Sequence, residues 1–562
     1  MLNKHHLLRF FPFLGWPRPT LQSMRKDAWA GTSVGLVLIP QAIAYATLAG
    51  MPPETGLYAA LVPCVIGVLF GSSPLLSVGP VAMTSMLVFG SLSALSEPGS
   101  PLWIAMAVWL AVYSGLIQLA IGAFSLGRIA NLVSQPVVTG FINAAAVLII
   151  ASQLPALFGA ELSGGWLASA QRAIHAPGTF LSLLIGVSAI LLLLVFKRKR
   201  PTWPGILIVT IIGVLLGWAV DLGSAGVRVV GPIPAGLPAP AWPAAISFEH
   251  HQELWPAALV LALISFTEAM SSCRVLARRR REQWDENQEL IGQGLAKVAS
   301  AAFGSFPVSG SLSRSALNAY AGAVSAWSSL FTALCVMAGL LFLTDWVAYL
   351  PRPVLAAMII VPVAGLIDIG AMWRLFGVSR SDALIAVATF GITLFSMPRL
   401  HWGVFAGIGL TMASFLFRYT RPRIVTVSLH ADGSLRDSAR FNLPPLAQDV
   451  LAVRMDSELN FLSSPALERF VANQLRRNPQ VRRLLLCAGS INSVDATGVD
   501  TFQSLQTVVI NSGVKLYVSN IKQQVWQVLD AAGVISSLPE GHIFQTDVEA
   551  VNALKDDDAQ PF

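Results

Sequence analysis

Fourteen apolar stretches interrupt one another between residues 27 and 418, and no water-soluble fold accommodates such a pattern. They run 27–49, 56–71, 76–95, 102–122, 131–155, 178–197, 203–221, 255–275, 286–302, 307–322, 324–343, 353–367, 381–397 and 400–418. A helix needs about 20 apolar residues to cross the hydrocarbon core. Shorter or Gly/Pro-broken runs are tolerated at that depth only where they are buried in protein or line a cavity. Several of these stretches are too short to cross as ordinary helices, so the sequence predicts an α-helical polytopic membrane protein containing broken helices. Composition agrees: 54% of the 562 residues are hydrophobic and 12% are Asp, Glu, Lys or Arg, against roughly 25% charged in soluble domains.

Charge is distributed unevenly. Residues 1–423 hold 26 Lys and Arg against 15 Asp and Glu, and residues 424–562 hold 11 against 15. With the N-terminus placed in the cytoplasm, and Lys297 and Arg314 set aside as lying inside stretches, 20 cationic side chains fall on the cytoplasmic side and 4 on the other. That asymmetry predicts an even number of crossings, and it reads the basic pI as topology and affinity for anionic lipid rather than for nucleic acid.

The four cysteines, Cys64, Cys273, Cys335 and Cys487, show no zinc or disulfide spacing. Residues 1–26, broken by Pro12, Pro17 and Pro19, read as a cytoplasmic lead-in. After residue 423 short β-like runs (423–428, 450–455, 482–487 and 514–518) alternate with helical ones (464–477 and 497–511), which predicts a small α/β domain. The expected organisation is a membrane domain over 27–420, with halves at about 27–221 and 255–418, an α/β domain over 421–550 and an acidic disordered tail over 551–562. Two Pro-Val echoes relate the halves: Pro80-Val81 with Pro307-Val308, and Pro136-Val137 with Pro353-Val354. Such echoes suit the inverted repeats of secondary transporters.

Four features could carry chemistry. Gln41 and Tyr45 follow Pro40 and, at i and i+4, share a helix face; a proline break beside them favours a functional role over a plain interhelical hydrogen bond. The third and tenth stretches are short, open on proline and carry hydroxyls at Ser77, Thr84, Ser85, Ser309, Ser311, Ser313 and Ser315. Half-helices whose N-termini meet near the midplane would form an anion site from free N–H groups and dipole ends, whereas Ser-rich packing alone explains the hydroxyls but not the prolines. Arg314, about two turns into the tenth stretch, needs either a bound anion or a permanent partner, for which Glu268 is the acid at hand. Glu268 is also the natural titrating group, so proton coupling follows as a hypothesis. Lys297 supports no assignment. The chain has neither a P-loop nor an H-E-x-x-H motif, so uphill transport would have to draw on an ion gradient.

The segments LIPQAIAYATLAG (38–50), GLY (56–58), LSVGPVAMTS (76–85), ENQELIGQGLA (286–296) and SFPVSGSLSRSALN (305–318) resemble the SulP anion transporters, and SVDATGVDTF (493–502) is similar to the STAS domain that ends them. The resemblance covers about residues 20–550. It implies fourteen spans in a seven-plus-seven inverted repeat, with a core (spans one to four and eight to eleven) moving against a gate in an elevator-like cycle, and a cytoplasmic STAS-like domain. By motif it places Gln41, Tyr45, Ala82, Met83, Ser309, Ser311 and Arg314 at the substrate and Glu268 at proton coupling. The arginine resembles that of sulfate-transporting members, and Glu rather than Asp at 268 favours protons over sodium. Two departures stand out: Lys297 where the family often has Asn, and Ala496 where phospho-regulated STAS relatives carry the acceptor Ser.

The expectation is therefore a bacterial-type inner-membrane secondary transporter of a small inorganic anion, sulfate first, coupled to protons and homodimeric. Both termini would be cytoplasmic, and the STAS-like domain would be free for a protein partner. No enzymatic activity, metal or cofactor is expected. Bicarbonate or C4-dicarboxylate transport, an uncoupled exchanger or channel, and a membrane-tethered sensor are the rivals; a mere anchor needs no interrupted spans.

Overall fold

A computed structural model describes residues 11–16, 18–128, 133–159, 178–199 and 203–556. Residues 1–10 and 17 of the expected lead-in, the first two residues of the 131–155 stretch, and 557–562 of the expected tail lie outside the described residues. Residues 551–556, expected to be disordered, are instead helical, because Val551 and Leu554 are buried on a helix packed against a β-sheet. The chain divides into two compact units, Met1–Thr411 and Met412–Phe562.

In the first unit the helices are α1 Leu21–Leu48, α2 Pro53–Phe70, α3 Ala82–Leu92, α4 Pro101–Ala123, α5 Gln135–Leu157, α6 Thr179–Lys199, α7 Gly205–Val220 and α8 Phe248–Arg280. They continue as α9 Glu286–Ala302, α10 Leu312–Tyr320, α11 Trp327–Phe342, α12 Arg352–Ala364, α13 Ile369–Val378, α14 Arg380–Phe395 and α15 His401–Tyr419, within which the division falls. Among the described residues seven segments are long and apolar enough to cross a membrane: α1, α2, α4, α5, α6, α8 and the stretch Arg352–Val378. The apolar helices α3, α7 and α11 are shorter. Hydrocarbon offers no partner to backbone N–H and C=O groups, so each segment satisfies them internally as a helix.

Helix starts follow local chemistry. The Ser100 hydroxyl accepts from Trp103 N at the head of α4, Thr20 and Ser23 form a reciprocal cap at α1, and prolines open α5 and α12, where their missing N–H goes unused. One expectation fails. Pro40 does not break the first helix; α1 is continuous through it. Inside a bundle, one lost main-chain bond is tolerated because neighbouring helices hold the segment straight.

Packing is tightest where side chains vanish. α4 and α9 meet at Gly115 and Gly294, and a Cβ added to either would stand 2.8 or 2.7 Å from the other's carbonyl oxygen. Close backbone approach through small residues is how membrane helices gain contact when water supplies no driving force. Gln118 and Lys297, which flank this crossing, are fully buried.

The second unit holds a six-stranded sheet in the order β4-β3-β5-β6-β7-β8, built from β3 Ile424–Leu429, β4 Leu435–Asp437, β5 Val450–Met455, β6 Arg483–Cys487, β7 Lys515–Ser519 and β8 Ile543–Phe544. The pairs β5–β6, β6–β7 and β7–β8 are parallel, and β3 runs antiparallel to β4 and β5. Helices α16 Ser464–Arg477, α17 Ala496–Asn511 and α18 Gln523–Ala531 accompany the parallel strands, as crossovers require. Alternation sorts the strands onto two cores. Leu451, Val453, Leu484, Leu486, Leu516 and Val518 face one side, while Val450, Ala452, Leu485, Cys487 and Tyr517 face the other with Ala550 and Leu554 of α19, Asp547–Asp556.

Asp449 clamps this sheet to α19. Arg483 Nε and Nη2 each donate to its carboxylate at 2.7 Å, and Nη1 donates to the Leu554 carbonyl at 3.0 Å. The hydrogen bonds from Arg483, reinforced by its charge, hold the Asp449 carboxyl below the ordinary carboxylate range. The pair's contribution is thus fully present above pH ~4, the value of a free Asp, and is lost as pH falls through the lower folded-state value. Asp449→Asn is expected to cost about 2 kcal/mol, since it removes the counter-charge and one of two carboxylate acceptors from a buried guanidinium. Faster hydrogen exchange in β6 and α19 of the full-length protein would register it; unchanged exchange would refute the clamp.

Candidate functional site

Two segments of three residues build the centre of the first unit. Proline disfavours the helical region for the residue before it, which suits Gly79 at the end of the extended run β1 Ser77–Gly79; the second run, β2 Ser309–Ser311, begins two residues after Pro307. They pair antiparallel, Ser77 opposite Ser311, Val78 opposite Gly310 and Gly79 opposite Ser309. Each strand then feeds a short helix, α3 of 11 residues and α10 of 9. The third and tenth stretches end in half-helices, as expected; the strand that precedes each was not part of that expectation. α1 packs against both half-helices, and α8 packs against α3, β2 and α10.

The half-helix ends differ. No side chain caps α3, so the N–H groups of Ala82 and Met83, its first two residues, point out of its end. At α10, Ser311 is the cap and accepts from Arg314 N at 3.4 Å. Arg314 accordingly lies in the first turn of α10 and not two turns in, because β2 consumes the residues expected to form the earlier turns.

The Arg314 side chain is 2% exposed. Its Nη1 donates to the Pro80 carbonyl at 2.8 Å and its Nε to Ser77 Oγ at 3.3 Å. The guanidinium is thus strung across from α10 to the strand that opens α3. Its third nitrogen, Nη2, is buried and has no hydrogen-bond partner. A Cβ added at Gly79 would sit 3.3 Å from that nitrogen, so glycine leaves it room. Among the described residues no carboxylate forms an ion pair with Arg314, and Glu268 Oε2 is itself buried without a partner. The permanent Arg314–Glu268 pair weighed from the sequence is absent. Arg314 is thus a cation held by neutral oxygens at membrane depth, an arrangement that costs at least ~2.5 kcal/mol.

Tyr45, Cys64 and Glu268 lie within electrostatic reach of Arg314, and Lys297 within reach of Glu268. Gln41 is buried one turn before Tyr45 on α1, with Oε1 unpartnered, and the buried Ser85 hydroxyl on α3 is unpartnered too. Ser309 is committed elsewhere: its hydroxyl donates to the Ser265 carbonyl at 2.8 Å and holds β2 to α8. Ser311 Oγ lies 3.3 Å from Ser313 Oγ. Among the described residues no three His, Cys, Asp or Glu side chains group as metal ligands.

Residues 24–389 match the sulfate permease family, and residues 445–550 match the STAS domain. The chain belongs to the sulfate permease family. A Mycobacterium tuberculosis protein named "Probable sulfate transporter MT1781" is 30% identical over 541 residues, 95% of this chain and 95% of its own length. The chloroplastic sulfate transporter 4.1 of Arabidopsis thaliana is 29% identical over 549 residues, 93% of this chain and 79% of its own. Among solved structures, the murine anion transporter Slc26a9 in its inward-facing state has a TM-score of 0.89 at 22% identity, covering 98% of this chain and 95% of that one. The transmembrane domain of the cyanobacterial bicarbonate transporter BicA has a TM-score of 0.59 at 24% identity, covering 70% of this chain and 99% of that one. These likenesses show the fold: a helical membrane transporter with a C-terminal STAS domain, from a family of transporters and not of enzymes.

Two contributors in this family member escaped the sequence reading. The Pro80 carbonyl has no signature, being main chain. Gln118, a lone amide in apolar α4, did carry a signal: it is buried, and Lys297 Nζ donates to its Oε1 at 2.6 Å. In the STAS unit, Asp495 caps α17 by accepting from Gly498 N at 2.8 Å, and Ala496 is the first helical residue.

Proposed function

We propose that the chain is a secondary active transporter of a small oxyanion, sulfate first, coupled to protons through Glu268. The observation that carries this reading is the buried guanidinium of Arg314, stretched between the two half-helices with Nη2 unpartnered. An unpartnered Nη2 on a delocalised, always-charged guanidinium suits an oxyanion acceptor, and relatives named as sulfate transporters add support. Gln41, Tyr45, Ala82, Met83 and Ser311 would line the anion with Arg314. Ser309 would serve by fixing β2.

The same reading takes in fourteen crossings in two inverted halves of seven, and a core of spans one to four and eight to eleven that moves against a gate. It also takes in a membrane domain over 27–420, a STAS domain over 421–550 on the cytoplasmic side with both termini, the cell inner membrane, and a homodimer. In its favour, each of the fourteen apolar stretches contains a helix, and the basic residues fall 20 to 4 across the proposed faces.

Proteoliposome uptake of labelled sulfate, bicarbonate and succinate at two external pH values tests it. Sulfate is expected to enter fastest, and faster with an inward proton gradient. Preference for either carboxylate-type anion would overturn the substrate, and indifference to the gradient would overturn the coupling.

A further inference from the structure

Lys297 is fully buried in α9, at the crossing with α4 that Gly115 and Gly294 make tight. Its ammonium donates to Gln118 Oε1 at 2.6 Å and to Ser265 Oγ at 2.8 Å. Both acceptors are neutral, and both are aimed by a third group. The Ala262 carbonyl, which can only accept, takes the Gln118 amide N–H at 2.7 Å and the Ser265 hydroxyl at 3.3 Å. Gln118 Nε2 also donates to Ser265 Oγ at 3.1 Å, so the amide oxygen and the remaining serine lone pair face Lys297, a cradle of two oxygens aimed at a cation.

No carboxylate lies in that cradle, and among the described residues Lys297 makes no ion pair. A buried charge without a counter-ion is poor structural cement; an apolar side chain of the same volume would stabilise the crossing better. The cradle does border the anion site. Ser265 precedes Glu268 by one turn on α8, its carbonyl accepts from Ser309 of β2, and Lys297 lies within electrostatic reach of Glu268.

We propose that Lys297 is a tethered monovalent cation, a positioning residue whose positive charge beside Glu268 and β2 strengthens anion binding at Arg314 and takes the place of a free cation. The proposal rests on the anion-site reading above.

Two variants test it, assayed as sulfate–sulfate exchange in proteoliposomes with equal pH on both sides, where ammonium cannot act by collapsing a gradient. Lys297→Ala removes the cation and leaves the cradle open, and its exchange is expected to fall about tenfold, within the usual range of coupling between sites. Ammonium chloride restores most of that loss, whereas choline chloride does not. Lys297→Met fills the space without charge, so its exchange falls equally and ammonium leaves it low. Restoration is read within a single preparation, so any misfolded fraction cancels. Wild-type exchange in Lys297→Met overturns the proposal. So does Lys297→Ala that stays low in ammonium while sulfate still raises its melting temperature. Failure of the underlying reading looks different: sulfate would then stabilise Arg314→Gln as much as the wild type, whatever happens at Lys297.

Discussion

Arg314→Gln is expected to lower sulfate uptake on the order of 100-fold, which corresponds to losing about 3 kcal/mol from a buried, charge-assisted contact. The glutamine amide can still reach toward the Pro80 carbonyl but offers neither the charge nor a second parallel donor. Arg314→Lys is expected to recover little. The three N–H donors of an ammonium diverge from a single atom, so they do not reproduce the reach of three separate guanidinium nitrogens, two of which hold Ser77 and Pro80 while Nη2 stays available. Because Arg314 also ties α10 to β1, uptake is read beside sulfate-induced thermal stabilisation in detergent. A monodisperse Arg314→Gln protein that transports sulfate at the wild-type rate would remove the anion site from this position.

Glu268→Gln is expected to abolish acceleration by an inward proton gradient while leaving sulfate exchange at equal pH largely intact. The carboxyl stands within electrostatic reach of two cations, Arg314 and Lys297, yet pairs directly with neither. An arriving dianion changes the field at Glu268 by more than any rearrangement of neutral groups would, so binding and protonation of this carboxyl are linked. Glutamine keeps the shape and cannot titrate. Proton-gradient acceleration that survives in Glu268→Gln would place the coupling elsewhere, and loss of exchange as well would make Glu268 part of the anion's own contacts.

Much of the site was legible because it is local. Gln41 and Tyr45 share a face through helical periodicity alone, and α1 delivers that face even though Pro40 fails to break it. Pro80 and Pro307 marked the two short stretches as half-helices, which α3 and α10 are, but they did not mark the extended runs beside them. In the STAS unit, alternation of apolar residues placed β3, β5, β6 and β7 within a residue or so of their observed limits. The pairing of β1 with β2 had no such signal. Ser-Val-Gly and Ser-Gly-Ser have little strand character of their own, and each is extended because the other lies beside it across 232 residues of chain (Val78 opposite Gly310). The displacement of Arg314 into the first turn of α10 follows from that pairing.

The sequence by itself determined the solvent of each unit and the local punctuation: which stretches must hide in lipid, where helices start, and which few polar residues sit at membrane depth at an energetic cost. Only the tertiary structure decided what those polar residues face. Arg314 reaches a main-chain carbonyl and not Glu268, and Lys297 is held by Gln118 and Ser265 and not by an acid. Hydrophobicity and backbone propensity act over a few neighbouring residues and so can be read along the chain. The partner of a buried charge is set by which helices can approach closely enough to exclude water, and that depends on glycines and strands far apart in sequence.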